Sequence, residues 1–283
     1  MDLARLHRQV VFGESGGRII WQPRIGCWYN DKAFTGDPLP APYTGMTIPD
    51  IHRTLGCSAR LYQFNACFRL VEPPTVRVTR RQANDTDLEI VTETPAGCQV
   101  EVLRTPASSP RPLPLKRQVE SKEELRVAIW REENANWTWD QQQHDRLGAE
   151  LGDLGAPTMY FPRMNVQDLY INKMGVERTI WALHDWPDLV EAFFRASDDS
   201  HLRLAEVVAS SPIEILNLGE NVHASTLSPP LFERYHLPAC QRLCARLHAA
   251  GKFVSSHWDG DCRPLLPYVR DTGLDGIEAI TPR

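Results

Sequence analysis

The stretch KFVSSHWDGDCRPLLPYV, residues 252–269, ends an apolar run in His257 and follows it with Asp259 and Cys262. Residues two apart in extended chain project to the same side, so His257 and Asp259 can share one ligand. An imidazole and a carboxylate placed together can hold zinc or exchange a proton with a substrate. A plainer use competes with this, because the chain turns from strand to helix here and Asp259 or Asp261 can cap the helix starting near Arg263. Capping by Asp261 leaves His257 and Asp259 available. His257 can also be a core histidine satisfied by hydrogen bonds, and Cys262, first in its helix, reads as structural.

Glu220 closes the otherwise apolar IEILNLGE, an unusual place for a solvated acid. With His257 and Asp259 it completes the expected catalytic set, and the same three residues are the candidate metal ligands. Candidate substrate-binding residues follow other apolar runs. Arg24 and Tyr29 follow RIIWQP, Arg163 and Asn165 follow TMYFP, and His223 lies beyond Glu220 and Asn221. Cys240 and Cys244 have the i, i+4 spacing of a ligand pair. They share a stripe with Leu243 and Leu247, and core packing is the expected role.

The elements that must carry these residues fall into three regions. The first has an amphipathic helix in MDLARLHRQVV, a strand at RIIWQP, the long loop DPLPAPYTGMTIPD and a short helix at TIPDIHRTLG. In the second, residues 75–105, TVRVTRR, DLEIVTET and CQVEVLRT alternate apolar and polar residues. They predict a three-stranded antiparallel meander outside the main fold, closed by a Pro-rich stretch. From Ser121, which with Glu124 forms a capping-box pattern, helices alternate with the strands TMYFP, IEILNLG, KFVSSH and DGIEAI. That rhythm predicts a parallel sheet with helices packed outside it. The count fits most of a (β/α)8 barrel of TIM type forming a single domain over residues 1–283. The chain stops at ITPR directly after a strand, so the barrel is expected to be incomplete at its C-terminus. In such barrels the loops after the strands build the active face, the rule that singles out every candidate above.

Composition bounds the partners. The chain has 283 residues, 42% hydrophobic and 24% charged, with net charge −5, which describes a globular protein with no electrostatic pull toward nucleic acid or an anionic membrane. No apolar run approaches the roughly 20 residues of a membrane span, and the N-terminus lacks the apolar core of a signal peptide. The seven cysteines include no CxxC pair and are expected to be reduced. The expected location is the cytoplasm, and the expected partner is a small-molecule substrate.

The motifs SPPLFERYHLP, LHAAGKFVSSHWDGD and LLPYVRDTGLDGIEAI resemble the uroporphyrinogen decarboxylase superfamily. The resemblance implies a TIM barrel and one of two chemistries. One is cofactor-free decarboxylation of porphyrinogen acetate groups in porphyrin biosynthesis. The other is zinc-dependent methyl transfer between a corrinoid protein and a thiol or similar acceptor. Methyltransferases of this kind carry His-x-Cys at the strand end and a further cysteine after the last strand. Here the motif is His257-Trp258-Asp259, and a carboxylate makes a harder site than a thiolate. The decarboxylases carry an arginine-rich segment, for which Arg24 stands as one residue, and an aspartate in a Phe-Ser-Asp-Ile-Leu context that LYQFNACFRLV does not contain. The resemblance therefore implies first a methyltransferase of a corrinoid-linked methyl-transfer or demethylation system, with zinc and a corrinoid carried by a partner protein. A porphyrinogen carboxylate decarboxylase is the alternative, and a non-catalytic truncated barrel the third reading.

Overall fold

A computed structural model describes residues 2–60 and 62–281. Asp2 caps the first helix, Leu3–Val11, its carboxylate accepting from the Arg5 amide at 2.8 Å. Thr47 and Asp50 form a full capping box at the helix Ile48–Leu55, in line with TIPDIHRTLG. RIIWQP is not a strand. Among the described residues no strand pairs with it; Ile19 is 87% exposed, and the Trp21 carbonyl accepts from the Ser58 amide. The β-branched residues that suggested a strand find no strand partner among the described residues, and an α-helix, Ile25–Thr35, follows directly.

Strand β1 (Phe68–Val71) pairs antiparallel with β6 (Asn136–Trp139), a distant partner that local pattern could not disclose. Between them, β2 (Arg77–Gln82), β3 (Asp87–Thr94), β4 (Gly97–Arg104) and β5 (Leu113–Lys116) form an antiparallel sheet in sequential order. The meander forms as its two-residue period predicts, and it gains a fourth strand from the Pro-rich stretch. Asp87 secures its outer end, accepting from Arg104 Nε and Nη2, each at 2.7 Å. The helix Lys122–Asn134, whose Ser121 cap accepts from the Glu124 amide, packs against this sheet; Gln99 Nε2 donates to the Glu124 carbonyl at 2.9 Å.

The remaining strands are β7 (Thr158–Phe161), β8 (Ile215–Leu218), β9 (Phe253–His257) and β10 (Gly276–Glu278). They form one parallel sheet in the order β10-β9-β8-β7. Crossovers include the 23-residue helix Pro187–Ala209 and the helix Leu237–His248. The last crossover, Arg263–Thr272, is a 3-10 helix rather than the expected α-helix; Pro267 inside it cannot donate an α-helical hydrogen bond. Cys240 and Cys244 are buried in the core, as expected, with Sγ atoms 3.9 Å apart.

The two faces of the parallel sheet differ. Met159, Phe161, Leu216, Leu218 and Val254 belong to one buried cluster with Leu204, Val208, Leu243 and Leu247 of the covering helices. Register puts Tyr160, Asn217 and Ser255 side by side in neighbouring strands, and His257 beside Glu278. These alternate with the apolar set and give the opposite face its polarity. Asn65 reaches that side from the N-terminal third, its Oδ1 accepting from the Tyr160 amide at 2.8 Å.

The expected (β/α)8 barrel is not what the described residues form. Among the described residues no barrel closes, and the architecture is mixed α/β with one open four-stranded parallel sheet and two antiparallel sheets. The parallel strands needed for closure are missing because RIIWQP is unpaired and β1–β6 are committed to antiparallel partners. No helix among the described residues is long and apolar enough to cross a membrane.

Candidate functional site

A cleft of about 680 Å³ opens at the C-terminal ends of the parallel strands. Arg24, Arg163, His257 and Asp259 line it, so the structure brings together four of the residues singled out by strand-end position. Asp261 does what a cap requires, accepting from the Arg263 amide at 3.3 Å. Trp258 is fully buried against Phe232, with ring centroids 5.6 Å apart. The side chains alternate here, and burying Trp258 in the helix-side core leaves His257 and Asp259 to the cleft. Gly260 matters for space, since a Cβ there would fall 2.0 Å from the His223 ring.

Four other expected residues lie outside the cleft lining. Tyr29 sits on the helix Ile25–Thr35. Asn165 is buried as a brace, its Nδ2 donating to Asp198 Oδ1 at 3.0 Å and to the Tyr235 carbonyl at 3.1 Å. His223 lines a neighbouring hollow of about 470 Å³ whose wall includes Asp259, and its Nδ1 accepts from the Ser225 amide. Glu220 is fully buried, with Oε1 accepting from the Met164 amide at 2.8 Å and Oε2 without a hydrogen-bond partner among the described residues. Burial pushes its carboxyl up to about 8, against the opposing pull of Arg163.

The expected metal set of His257, Asp259 and Glu220 is therefore not gathered on the cleft. Among the described residues no three His, Cys, Asp or Glu side chains are placed to hold an ion. His257 Nε2 and Asp259 Oδ2 approach to 3.6 Å. Cys262 turns its thiol away, donating to the Val222 carbonyl at 3.1 Å. Catalytic zinc takes three protein ligands, and this donor set does not fit it.

Glu278 is the residue that sequence reasoning missed. It ends β10 beside His257, and Oε1 lies 3.3 Å from His257 Nδ1 and 3.1 Å from the Tyr160 hydroxyl. Arg60 Nη1 donates to Oε2 at 3.1 Å, and the Arg60 guanidinium lies over the Tyr160 ring, 4.8 Å from its centroid. Burial pushes this carboxyl up, but the Arg60 charge and the hydrogen bonds from Arg60, His257 and Tyr160 outweigh it and hold Glu278 below its ordinary range. A signal was present in DGIEAI, an acid interrupting an apolar strand, the same signal that marked Glu220. Arg111, Asn65 and Asn172 also line the cleft. They come from segments with no strand-end context, and no local pattern marks them.

Residues 169–279 match the family model of uroporphyrinogen decarboxylase (URO-D). No curated protein matches the chain in sequence. Among solved structures, a methyltransferase from Methanosarcina mazei aligns at 12% identity with a TM-score of 0.44. That alignment covers 62% of this chain and 51% of the other, so the chain spans about half the length of that structure. His257, Asp259 and Glu278 all fall inside the matched stretch, which covers less than half of the chain and is similar there to the uroporphyrinogen decarboxylase family.

Proposed function

We propose that the cleft binds a small molecule bearing one or more carboxylates and decarboxylates it, with His257 carrying the proton, as in a porphyrinogen carboxylate decarboxylase. The parallel sheet, with its cleft at the strand ends, is read as a sector of the superfamily's (β/α)8 architecture. The observation that carries the proposal is the charge of the lining. Arg24, Arg111 and Arg163 face a cleft in which Asp259 is the only lining acid among the described residues. A carboxylate leaving water needs a charge-assisted partner, and arginine supplies two aligned donors that it cannot lose by deprotonation. Arg163 Nη2 is already directed by Asn221 Oδ1 at 3.0 Å. Decarboxylation breaks the bond from carbon to the carboxylate, releases carbon dioxide and leaves a carbon that takes up one proton. His257 lines the cleft, and its ring, when it carries a proton on both nitrogens, can deliver one from Nε2 and return to the neutral form.

The test is carbon dioxide release from uroporphyrinogen by purified protein. His257→Ala is expected to lower kcat by about 100-fold or more, the usual scale for a positioned proton carrier. Arg163→Gln is expected mainly to raise KM. Normal turnover in a folded His257→Ala protein would sink the proposal.

A corrinoid-linked methyltransferase is the second reading; the 3.6 Å approach of His257 and Asp259, at the position where the resemblance puts His-x-Cys, supplies two of the three protein ligands its zinc would take. Equilibrium dialysis against zinc tests it. One tightly held ion, lost in His257→Ala and Asp259→Asn, would favour methyl transfer with a partner corrinoid protein. Neither turnover nor zinc would favour the non-catalytic reading.

A further inference from the structure

We infer that Glu278 is a positioning residue that fixes the His257 ring and holds its proton on Nδ1, leaving Nε2 to the cleft. The consequence for turnover rests on the proposed role of His257; the consequence for the ring does not. Three side chains surround the Glu278 carboxylate. Arg60 Nη1 and the Tyr160 hydroxyl lie 3.1 Å from its two oxygens, and His257 Nδ1 lies 3.3 Å away. The guanidinium can only donate, and it holds the carboxylate ionised. An ionised carboxylate can only accept, so the nitrogen facing it must bear hydrogen. The neutral imidazole then keeps its lone pair on Nε2.

The fold supports this assignment. His257 and Glu278 are directly opposed in the parallel register, so two strands set their separation. Glu278 is not among the cleft-lining residues, whereas His257 and Tyr160 are. It therefore acts through its neighbours. Asp259 Oδ2 stands 3.6 Å from Nε2, beyond a hydrogen bond, and is placed to attract a proton arriving there. Arg60 comes from the N-terminal third and reaches Glu278 across 218 residues of sequence. The arrangement thus ties the last described strand to the N-terminal third of the chain.

The decisive measurement is the ¹⁵N spectrum of the His257 ring in full-length protein with ¹⁵N-labelled histidine. Neutral His257 is expected as the Nδ1–H tautomer in wild type. Glu278→Leu is expected to release the ring toward Nε2–H, while Tyr160→Phe retains Nδ1–H because it spares the carboxylate. Nε2–H in wild type would overturn the inference, as would unchanged ring shifts in Glu278→Leu. If Glu278→Leu does not fold, the wild-type tautomer still decides the matter. With uroporphyrinogen as probe, Glu278→Gln is expected to lower kcat by about 10- to 100-fold with little change in KM, the scale seen when the partner orienting a functional histidine is altered. His257→Ala turnover separates the two layers: retained activity there removes the catalytic reading, whereas the ring spectra test Glu278 alone.

Discussion

Replacing Glu220 by glutamine is expected to make the protein more stable at alkaline pH and to leave it nearly unchanged in mild acid. Glu220 has no exposed surface, one carboxylate oxygen accepting from the Met164 amide and the other without a hydrogen-bond partner among the described residues. Burial raises its carboxyl from an ordinary 4.5 to about 8, so the folded chain keeps a proton that the unfolded chain releases. Stability from this source is complete below the unfolded value, declines as pH rises and is fully lost above the folded value. The interval between the two values corresponds to roughly 5 kcal/mol, at about 1.4 kcal/mol per pH unit. Glutamine keeps the shape and the acceptor for Met164 but cannot ionise. Urea unfolding of both proteins from about pH 5 to about pH 9 tests this, because the difference between them cancels the other titrating groups. The variant should gain a few kcal/mol on wild type across that range. Parallel curves would refute the reasoning, since they would mean that Glu220 ionises without penalty.

Two further outcomes follow from local geometry. Gly155→Ala would place a Cβ 2.2 Å from the Ala59 carbonyl oxygen, where main chain is pinned by the Ala59 amide to the Leu154 carbonyl at 2.8 Å. A loss of about 2–3 kcal/mol is expected from overpacking, and an unchanged Tm would contradict it. His7 and His236 are both depressed to about 4, each chiefly by burial, with Arg60 adding to the effect at His7. A depressed histidine contributes stability that is present above its unfolded value of 6.5 and lost as pH falls through about 4. His7→Gln, which retains an acceptor for the Ala156 amide, should flatten the acid limb of the stability profile; an unaltered slope would count against it.

The legible parts of the site were those set by chain-local rules. HWDGD forces alternation at a strand end, and burying Trp258 on one side sends His257 and Asp259 to the other. The same reasoning misplaced Glu220, because a strand-end position says where a residue lies and not which way its carboxylate turns. Glu220 and Glu278 carry the same sequence signal, an acid closing an apolar strand. Glu220 found only a backbone amide and became a buried acid, whereas Glu278 found Arg60, Tyr160 and His257 and became the centre of a polar network.

The sequence by itself determined the elements whose periods and caps are local: the two-residue alternation of β2 to β4, the capped helices at Thr47 and Ser121, and the βα rhythm that yields β7 to β10. Tertiary structure decided partnership. RIIWQP had strand chemistry but no neighbour to pair with, while Phe68–Val71 became a strand through a partner beginning at Asn136. It also decided the charge of the cleft, gathering Arg24, Arg111 and Arg163 from three separated segments. Strand pairing and converging charge depend on contacts between residues far apart in the chain, and such contacts leave no period in either segment alone.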